Sequence, residues 1–348
     1  MISLRIKASG ASQSLGLILL SALACSGAVS ASNQEPGAYS VPLGIAMESW
    51  PYPYPVKYLP IEIEGQPARM AYMDIAPSAQ PNGRTVLLLH GKNFYGSYWE
   101  GPIKALTSAG YRVVVPDQVG FGKSSKPDIA YSFDLLAENT MKLFDALGVD
   151  KASVVGHSMG GMLAVRIARS YPQRAAHLVL ENPIGLEDYR FKVPPRPTSK
   201  IYENELNDTD PAKIRAFLKR YVVEWKPEVY ERFVEVRARI ALGGEYPRWA
   251  KASALTYQMI YQQPVRHEFG LIRTPTLLII GQEDRTVVGR NFVTEDVLKT
   301  LGQYPQLGKA AAQDIPGSKL VELKNVGHIP HLEAPQAFNE ALMSFIKP

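Results

Sequence analysis

The sequence predicts an α/β protein with a mostly parallel sheet of eight strands, flanked by helices and interrupted by one helical insertion. Three observations support this fold class. Short apolar runs alternate with longer segments of helical periodicity over much of the chain. Several runs are apolar at every position, as expected for strands buried on both faces of a parallel sheet. Between residues 183 and 266 the alternation stops, and only helical patterns remain.

Eight runs are predicted to be strands: 58–63, 69–75, 85–89, 111–115, 152–155, 176–180, 276–280 and 319–323. Helical patterns cover residues 98–109, 132–147, 159–170, 214–225, 230–241, 291–301, 304–314 and 334–346. The turn at residues 64–66 predicts an antiparallel hairpin at one edge of the sheet. We expect the later strands to be parallel, with right-handed crossovers.

The chain after its N-terminal segment divides into an arm, a core and an insertion. Residues 32–60 are rich in Pro and Tyr, which favours an extended arm on the domain surface over a helix. The strand patterns assign residues 61–182 and 267–348 to the core, and the insertion occupies residues 183–266. We therefore expect one large domain with an insertion.

The first 31 residues have the composition of a secretory signal peptide. Arg5 and Lys7 precede an apolar run at residues 15–24, small residues follow up to Ala31, and no acidic residue occurs. The run is shorter than the ~20 residues that a bilayer span needs. We therefore expect cleavage after Ala31, a periplasmic or secreted protein, and no stable membrane span in the mature chain.

The only cysteine, Cys25, could instead carry a lipid anchor, but the residues before it fit the lipoprotein pattern poorly. Cleavage after Ala31 would leave the mature chain without a disulfide or a thiol-based metal site. The net charge of +5 is spread along the chain rather than concentrated in a basic block, so it gives no indication of nucleic-acid binding. The sequence leaves the oligomeric state open.

Ser158 lies between glycines, in the order Gly156-His157-Ser158-Met159-Gly160. A β-branched run precedes this segment and a helical pattern follows it, which predicts a strand, a sharp turn and a helix. Glycine is needed on both sides of such a turn because a side chain there would collide with the neighbouring strand or helix. Ser158 is therefore a candidate nucleophile, although the motif alone also fits an ordinary turn serine.

Reactive side chains follow five of the predicted strands, at the carboxyl ends where open parallel sheets bind ligands: His90, Ser158, Glu181, Asp284 and His328. A serine hydroxyl needs an imidazole to accept its proton, and that imidazole needs a carboxylate to fix its tautomer. His328 and Asp284 suit these two roles.

The chain resembles the α/β-hydrolase superfamily in five motifs: His90-Gly91, Asp117-x-x-Gly120-x-Gly122-x-Ser124, the turn at Ser158, Gly281-x-x-Asp284, and Gly327-His328-x-x-His331-Leu332-Glu333-x-Pro335. They occur in the family order and span nearly all of the mature chain. The resemblance implies an α/β-hydrolase fold with residues 183–266 as a helical cap. It also implies a triad of Ser158, Asp284 and His328.

In this superfamily the oxyanion hole is formed by backbone N–H groups, which correspond here to Lys92 and Met159. Met159 also begins a helix, whose N-terminus favours negative charge. Some relatives place the acid after the strand that ends here at Glu181, so Glu181 is the alternative to Asp284. Asp284 lies in the better motif, and Glu283 is expected to face away.

The remaining histidines of these motifs are expected to support the site. His90 is expected to brace the oxyanion loop, while His157 and His331 pack or form hydrogen bonds beside the site. Two histidines near a carboxylate can indicate zinc, but the His-Glu-x-x-His spacing is missing from the sequence. We therefore expect no metal and no cofactor.

The sequence indicates a cofactor-independent serine hydrolase that cleaves an ester-like bond of a small molecule through an acyl-enzyme. The same triad serves carbon–carbon bond hydrolases, aminopeptidases, acyltransferases and cofactor-free haloperoxidases, so the fold alone leaves the reaction open. A binding protein with a vestigial triad is the alternative of another class. Six side chains of the insertion could line a pocket with a cationic end or only pack the cap: Tyr189, Trp225, Arg237, Arg239, Tyr257 and Tyr261.

Overall fold

A computed structural model describes residues 39–347. The predicted signal peptide, including Cys25, and the first part of the arm lie outside these residues. Within residues 39–347, none of the helices combines the length and the apolar character that crossing a bilayer would require.

Eight strands form one sheet in the order β1-β2-β4-β3-β5-β6-β7-β8. They are β1 (Val56–Ile63), β2 (Gln66–Ile75), β3 (Thr85–Leu89), β4 (Arg112–Pro116), β5 (Ala152–His157), β6 (Ala175–Glu181), β7 (Thr276–Gly281) and β8 (Lys319–Leu323). β2 pairs antiparallel with β1 and with β4, and every other pairing is parallel. The predicted fold class, with its antiparallel hairpin at one edge, is confirmed.

The helices of the core are α1 (Glu100–Ser108), α2 (Phe133–Ala146), α3 (Met159–Ser170), α8 (Glu295–Leu298), α9 (Tyr304–Asp314), α10 (Pro330–Glu333) and α11 (Pro335–Ile346). Four more helices lie between β6 and β7: α4 (Thr198–Asn207), α5 (Pro211–Lys219), α6 (Pro227–Ala241) and α7 (Tyr246–Gln262). These four lie within residues 183–266, the predicted cap, where the structure has no strand.

Both faces of the sheet are covered by helices. Along β3, Leu87 and Leu89 belong to the core on one side, and Val86 and Leu88 belong to the core on the other. Helices α2, α3 and α9 pack on the first side, and α1 and α11 pack on the second. This two-sided burial is the reason why the strand is apolar at every position.

Two predicted helices are shorter in the structure. The helix predicted over residues 214–225 ends at Lys219, because the next carbonyl and N–H groups bond elsewhere: the carbonyl of Tyr221 accepts from His328, and the N–H of Val223 donates to Glu333. The helix predicted over residues 291–301 is reduced to a short 3-10 turn and α8.

The arm differs from its prediction. β1 begins at Val56, inside the range 32–60, and the preceding chain is not confined to the surface. Leu43, Ile45 and Met47 are buried. The N–H of Leu43 donates to the carbonyl of Arg239 in the cap, 3.0 Å away. The arm therefore packs against both the core and α6.

Candidate active site

Ser158 lies between the end of β5 and the start of α3. Its φ is 55° and its ψ is −118°, a conformation that L-residues with a side chain rarely adopt. A Cβ at Gly156 would lie 2.2 Å from the carbonyl oxygen of Gly160, and one at Gly160 would lie 2.2 Å from that of Leu89. Both flanking positions are thus restricted to glycine by close backbone approach, as the sequence predicts.

Asp284 and His328 form a buried pair. Oδ2 of Asp284 accepts a hydrogen bond from Nδ1 of His328 at 2.6 Å and another from Nδ2 of Asn182 at 2.8 Å. Oδ1 accepts from the N–H of Thr286 at 2.8 Å. Because the carboxylate is held from both oxygens, it fixes the His328 ring with Nδ1 protonated and leaves Nε2 free to accept a proton.

Glu181, the alternative acid, is paired with a different histidine. Its carboxylate accepts hydrogen bonds from the backbone N–H of His331 at 2.7 Å and from Nδ1 of His331 at 2.9 Å. Burial raises the pKa of Glu181 to about 7 and lowers the pKa of His331 well below its usual value. In the structure, the carboxylate that bonds to His328 is therefore that of Asp284 and not that of Glu181.

Ser158 and His328 lie close together without a direct bond. The rings of His157 and His328 have centroids 4.8 Å apart, which brings His328 next to the turn. Within residues 39–347, the side chain and carbonyl of His328 bond to Asp284 and His157, and Ser158 Oγ is not among their partners. In hydrolases without substrate this contact is commonly long and closes when substrate binds.

The predicted oxyanion donors flank Ser158. Lys92 lies just beyond the carboxyl end of β3, the strand that pairs with β5. Met159 is the first residue of α3, and its N–H has no acceptor within the helix. Lys92 and Ser158 line the same cavity. The N–H groups of Lys92 and Met159 have no acceptor in the part of the chain that the structure describes.

Tyr98 and His157 connect the oxyanion loop to the His328 loop by hydrogen bonds. The N–H of Gly91 donates to Tyr98 Oη at 3.0 Å, and Tyr98 Oη lies 2.9 Å from His157 Nδ1. His157 Nε2 lies 2.8 Å from the carbonyl oxygen of His328, so Nε2 donates and Nδ1 accepts the Tyr98 proton. Burial lowers the pKa of His157 well below its usual value, which keeps the ring neutral as this chain requires.

Replacing Tyr98 with Phe is expected to lower the free energy of unfolding by about 1–3 kcal/mol, because the N–H of Gly91 and Nδ1 of His157 then lack buried partners. Chemical denaturation of wild type and variant measures this. Tyr131→Phe is the matched control, since that buried hydroxyl makes a single bond within the described chain, to the carbonyl of Pro127. An equal loss in both variants would contradict the connecting role of Tyr98.

His90 braces the loop before the oxyanion residues, as expected. The N–H of Gln118 donates to its Nε2 at 3.0 Å, so Nδ1 carries the proton and donates to the carbonyl of Gly91 at 2.9 Å. Burial lowers the pKa of His90. Glu283 is half exposed and faces away from His328 towards Arg285.

Tyr221 and Glu333, to which the sequence assigned no role, hold the His328 loop. The carbonyl of Tyr221 accepts the N–H of His328 at 2.6 Å, and the rings of the two residues lie 4.8 Å apart. Glu333 accepts from the N–H groups of Gly327 and Ile329, both at 3.1 Å, and of Val223 at 2.9 Å. The cap segment after α5 is thereby joined to the chain that carries His328. Glu333 belongs to the motif that contains His328, whereas nothing in the sequence marked Tyr221.

Ser158 lines a cavity of about 690 Å³ between the carboxyl edge of the sheet and the cap. Of the six cap side chains considered for a pocket, Arg237 and Tyr257 line this cavity. The other four pack elsewhere: Tyr189 and Tyr261 in a small apolar cluster, Trp225 against Tyr230, and Arg239 against Trp50. Among residues 39–347, no three His, Cys, Asp or Glu side chains are grouped so as to hold a metal ion.

Comparisons with known proteins agree with this fold. A probable hydrolytic enzyme of known structure from Pseudomonas aeruginosa is 46% identical, with a TM-score of 0.86, over 89% of this chain and 100% of that one. A 2-hydroxy-6-oxononadienedioate/2-hydroxy-6-oxononatrienedioate hydrolase from Burkholderia vietnamiensis is 27% identical over 84% of this chain and 95% of its own.

A third relative, a 2-hydroxy-6-oxo-6-phenylhexa-2,4-dienoate hydrolase from Burkholderia cepacia, is 27% identical over 76% of this chain and 88% of its own. The family model for the alpha/beta hydrolase fold matches residues 84–335, which include β3 to β8, the cap and all the residues of the candidate site. The chain belongs to the α/β-hydrolase family and is a hydrolase.

Proposed function

We propose that this protein is a cofactor-independent serine hydrolase that cleaves an ester-like bond of a small molecule through an acyl-enzyme. The observation that carries the proposal is the pairing of a strained Ser158, open to a cavity, with the buried Asp284–His328 pair beside it. A neutral imidazole whose tautomer is fixed by a carboxylate is the group that a serine hydroxyl needs in order to react.

In the proposed reaction, Ser158 Oγ attacks the carbonyl carbon of the ester and its proton passes to His328 Nε2. The tetrahedral intermediate collapses, the bond to the alcohol oxygen breaks, and His328 returns the proton to that oxygen. Water then attacks the acyl-enzyme with His328 again accepting the proton, which releases the carboxylic acid and restores Ser158. Asp284 stabilises the imidazolium that forms twice in this cycle.

The negative charge of each tetrahedral intermediate would be bound by the N–H groups of Lys92 and Met159. Neither N–H has another acceptor in the described part of the chain, which supports this role because a donor that is already paired contributes little to an oxyanion hole. The first turn of α3 adds a favourable dipole at the same point. The chain from Gly91 through Tyr98 and His157 to His328 keeps the donor loop and the histidine at a fixed distance.

A carbon–carbon bond hydrolase is the second candidate. It is supported by the two relatives from Burkholderia, which carry the names of 2-hydroxy-6-oxo-dienoate hydrolases. Their identity of 27% leaves room for a different reaction at the same fold.

A panel of substrates tests the proposal. The panel comprises 4-nitrophenyl esters of graded acyl length, alkyl esters, lactones, amino-acid amides and a 2-hydroxy-6-oxo-dienoate. We expect turnover of esters and a burst of 4-nitrophenol equal to the enzyme concentration, because 4-nitrophenol leaves during acylation and hydrolysis of the acyl-enzyme is expected to be the slower step for such activated esters. Turnover of the dienoate with no ester hydrolysis would replace the proposal with the second candidate. No turnover and no covalent labelling by a fluorophosphonate would indicate a binding protein.

A further inference from the structure

The cavity beside Ser158 is lined by more positive than negative side chains. Six of its lining residues are cationic: Lys92, Lys213, Arg220, Arg237, Arg285 and Arg290. Two are acidic, Glu205 and Asp208. Both acids bind one of these cations, since their carboxylates lie 3.3 Å and 2.9 Å from the guanidinium of Arg237. Arg285 lies 3.9 Å from the carboxylate of Glu283, so the positive field of the cavity comes chiefly from Lys92, Lys213, Arg220 and Arg290.

Arg220 and Arg290 face this cavity from different parts of the chain. Arg220 follows the end of α5 in the cap, and Arg290 lies in the loop after β7. Within residues 39–347, neither guanidinium has a carboxylate within 4.0 Å; Arg220 donates only to the carbonyl of Ala216, at 3.5 Å, and lies over the ring of Phe217. The cavity is thus lined by two cations that have no counter-ion in the described part of the chain.

The two guanidinium groups also repel each other. Burial, and then the charge of Arg290, lower the pKa of Arg220. Two like charges in such an arrangement lower the stability of the folded protein unless an anion binds between them. A carboxylate there would accept paired hydrogen bonds from a planar guanidinium, the geometry for which arginine is suited.

Lys92 extends the positive field to the reacting end of the cavity. Its ammonium donates to the carbonyl of Ser253 at 3.0 Å and to the hydroxyl of Ser253 at 2.7 Å, both neutral groups. Burial lowers its pKa. An anionic substrate would therefore meet positive charge from the mouth of the cavity to Ser158.

We propose that the cavity binds substrates that carry a carboxylate, which is held between Arg220 and Arg290 while the scissile carbonyl lies at Ser158. This inference rests on the proposed serine hydrolase activity and names its substrate class. Arg220 directly precedes Tyr221, whose ring packs on His328, so a carboxylate bound there would lie on the same wall of the cavity as the reacting groups.

Matched esters test the inference. The anionic substrate is the mono-4-nitrophenyl ester of adipic acid, and the neutral substrate is the same ester with the free carboxylate replaced by a carboxamide. We expect wild type to favour the anionic ester and this preference in kcat/KM to fall about tenfold or more in the double variant Arg220→Gln/Arg290→Gln, chiefly through KM. Arg273→Gln is the control, because Arg273 is exposed, lies outside the cavity and, among residues 39–347, donates only to backbone carbonyls.

Binding without turnover gives an independent measurement. Calorimetric titration of adipate into the Ser158→Ala protein should show a Kd that rises about tenfold or more when both arginines are replaced, and no change in the Arg273→Gln background. Equal preference for the two esters, with adipate binding unaffected by the arginines, would overturn the inference and leave the serine hydrolase proposal intact. If the wild-type protein hydrolyses neither ester but adipate binding still depends on the two arginines, only the proposed activity is overturned.

Discussion

Replacing Ser158 with Ala is expected to lower kcat on 4-nitrophenyl esters by about four or more orders of magnitude. The variant lacks the oxygen that forms the acyl-enzyme, so only binding and the oxyanion donors remain to accelerate attack by water. The expected residual rate is the same whether or not His328 is also changed, because the two groups act as one unit. Steady-state kinetics of Ser158→Ala, and of the double variant with His328→Ala, test both the size of the loss and the equal residual rate.

Covalent labelling provides the second measurement. A fluorophosphonate should add the mass of one phosphonyl group to the wild-type protein and none to Ser158→Ala, as measured by mass spectrometry. Ser153→Ala is the matched control, since Ser153 lies on the same strand and its hydroxyl bonds to His177 at 3.0 Å. That variant should keep both labelling and turnover. Labelling of the Ser158→Ala protein would show that the nucleophile is another residue.

The elements that the sequence predicts well are those whose reason is local or follows from two-sided burial. β8 and α9 have the predicted bounds, and α2 begins after Ser132, whose side chain caps it. The two glycines around Ser158 are needed because the backbone comes too close for a Cβ, at Gly156 within the strand–turn–helix unit and at Gly160 against the neighbouring strand. Patterns of this kind depend on residues close together in the chain and can be recognised in a single sequence.

The features that the sequence does not predict depend on contacts between distant segments. The chain leaves the helical conformation after α5 because Tyr221 and Val223 bond to the loop that contains His328 and Glu333, more than a hundred residues later. Tyr98 lies in a predicted helix, and only the folded arrangement shows its hydroxyl between Gly91 and His157. Such partners have no fixed spacing along the chain.

The choice between the two carboxylates is of the same kind. Glu181 ends β6 and Asp284 lies three residues after the adjacent parallel strand β7, so both acids lie at the carboxyl edge of the sheet and either could reach a histidine there. The structure separates them by their partners, since His331 bonds to Glu181 and His328 bonds to Asp284. Asn182, directly after Glu181, donates to Asp284 and thereby places the two acids in neighbouring but distinct networks.

Replacing Asp284 with Asn is therefore expected to lower kcat by about four orders of magnitude. An amide nitrogen at this position would donate to Nδ1 of His328 instead of accepting from it, which favours the tautomer with Nε2 protonated. That ring cannot take the Ser158 proton, and the imidazolium also loses its counter-charge. The loss should appear in kcat and in the rate of fluorophosphonate labelling, while near-ultraviolet circular dichroism reports whether the fold is retained.

Glu181→Gln is the comparison that decides between the two acids. Burial raises the pKa of Glu181 to about 7, so a large share of the wild-type carboxyls is already protonated near neutral pH, and the amide resembles that form. We expect kcat to stay within about tenfold of wild type, because Glu181 forms its hydrogen bonds with His331, whereas the carboxylate bonded to His328 is that of Asp284. A loss of four orders in Glu181→Gln with a small effect of Asp284→Asn would reverse the assignment. Comparable large losses in both folded variants would mean that the His331 network also controls the position of His328 through His157, whose ring lies 5.7 Å from that of His331.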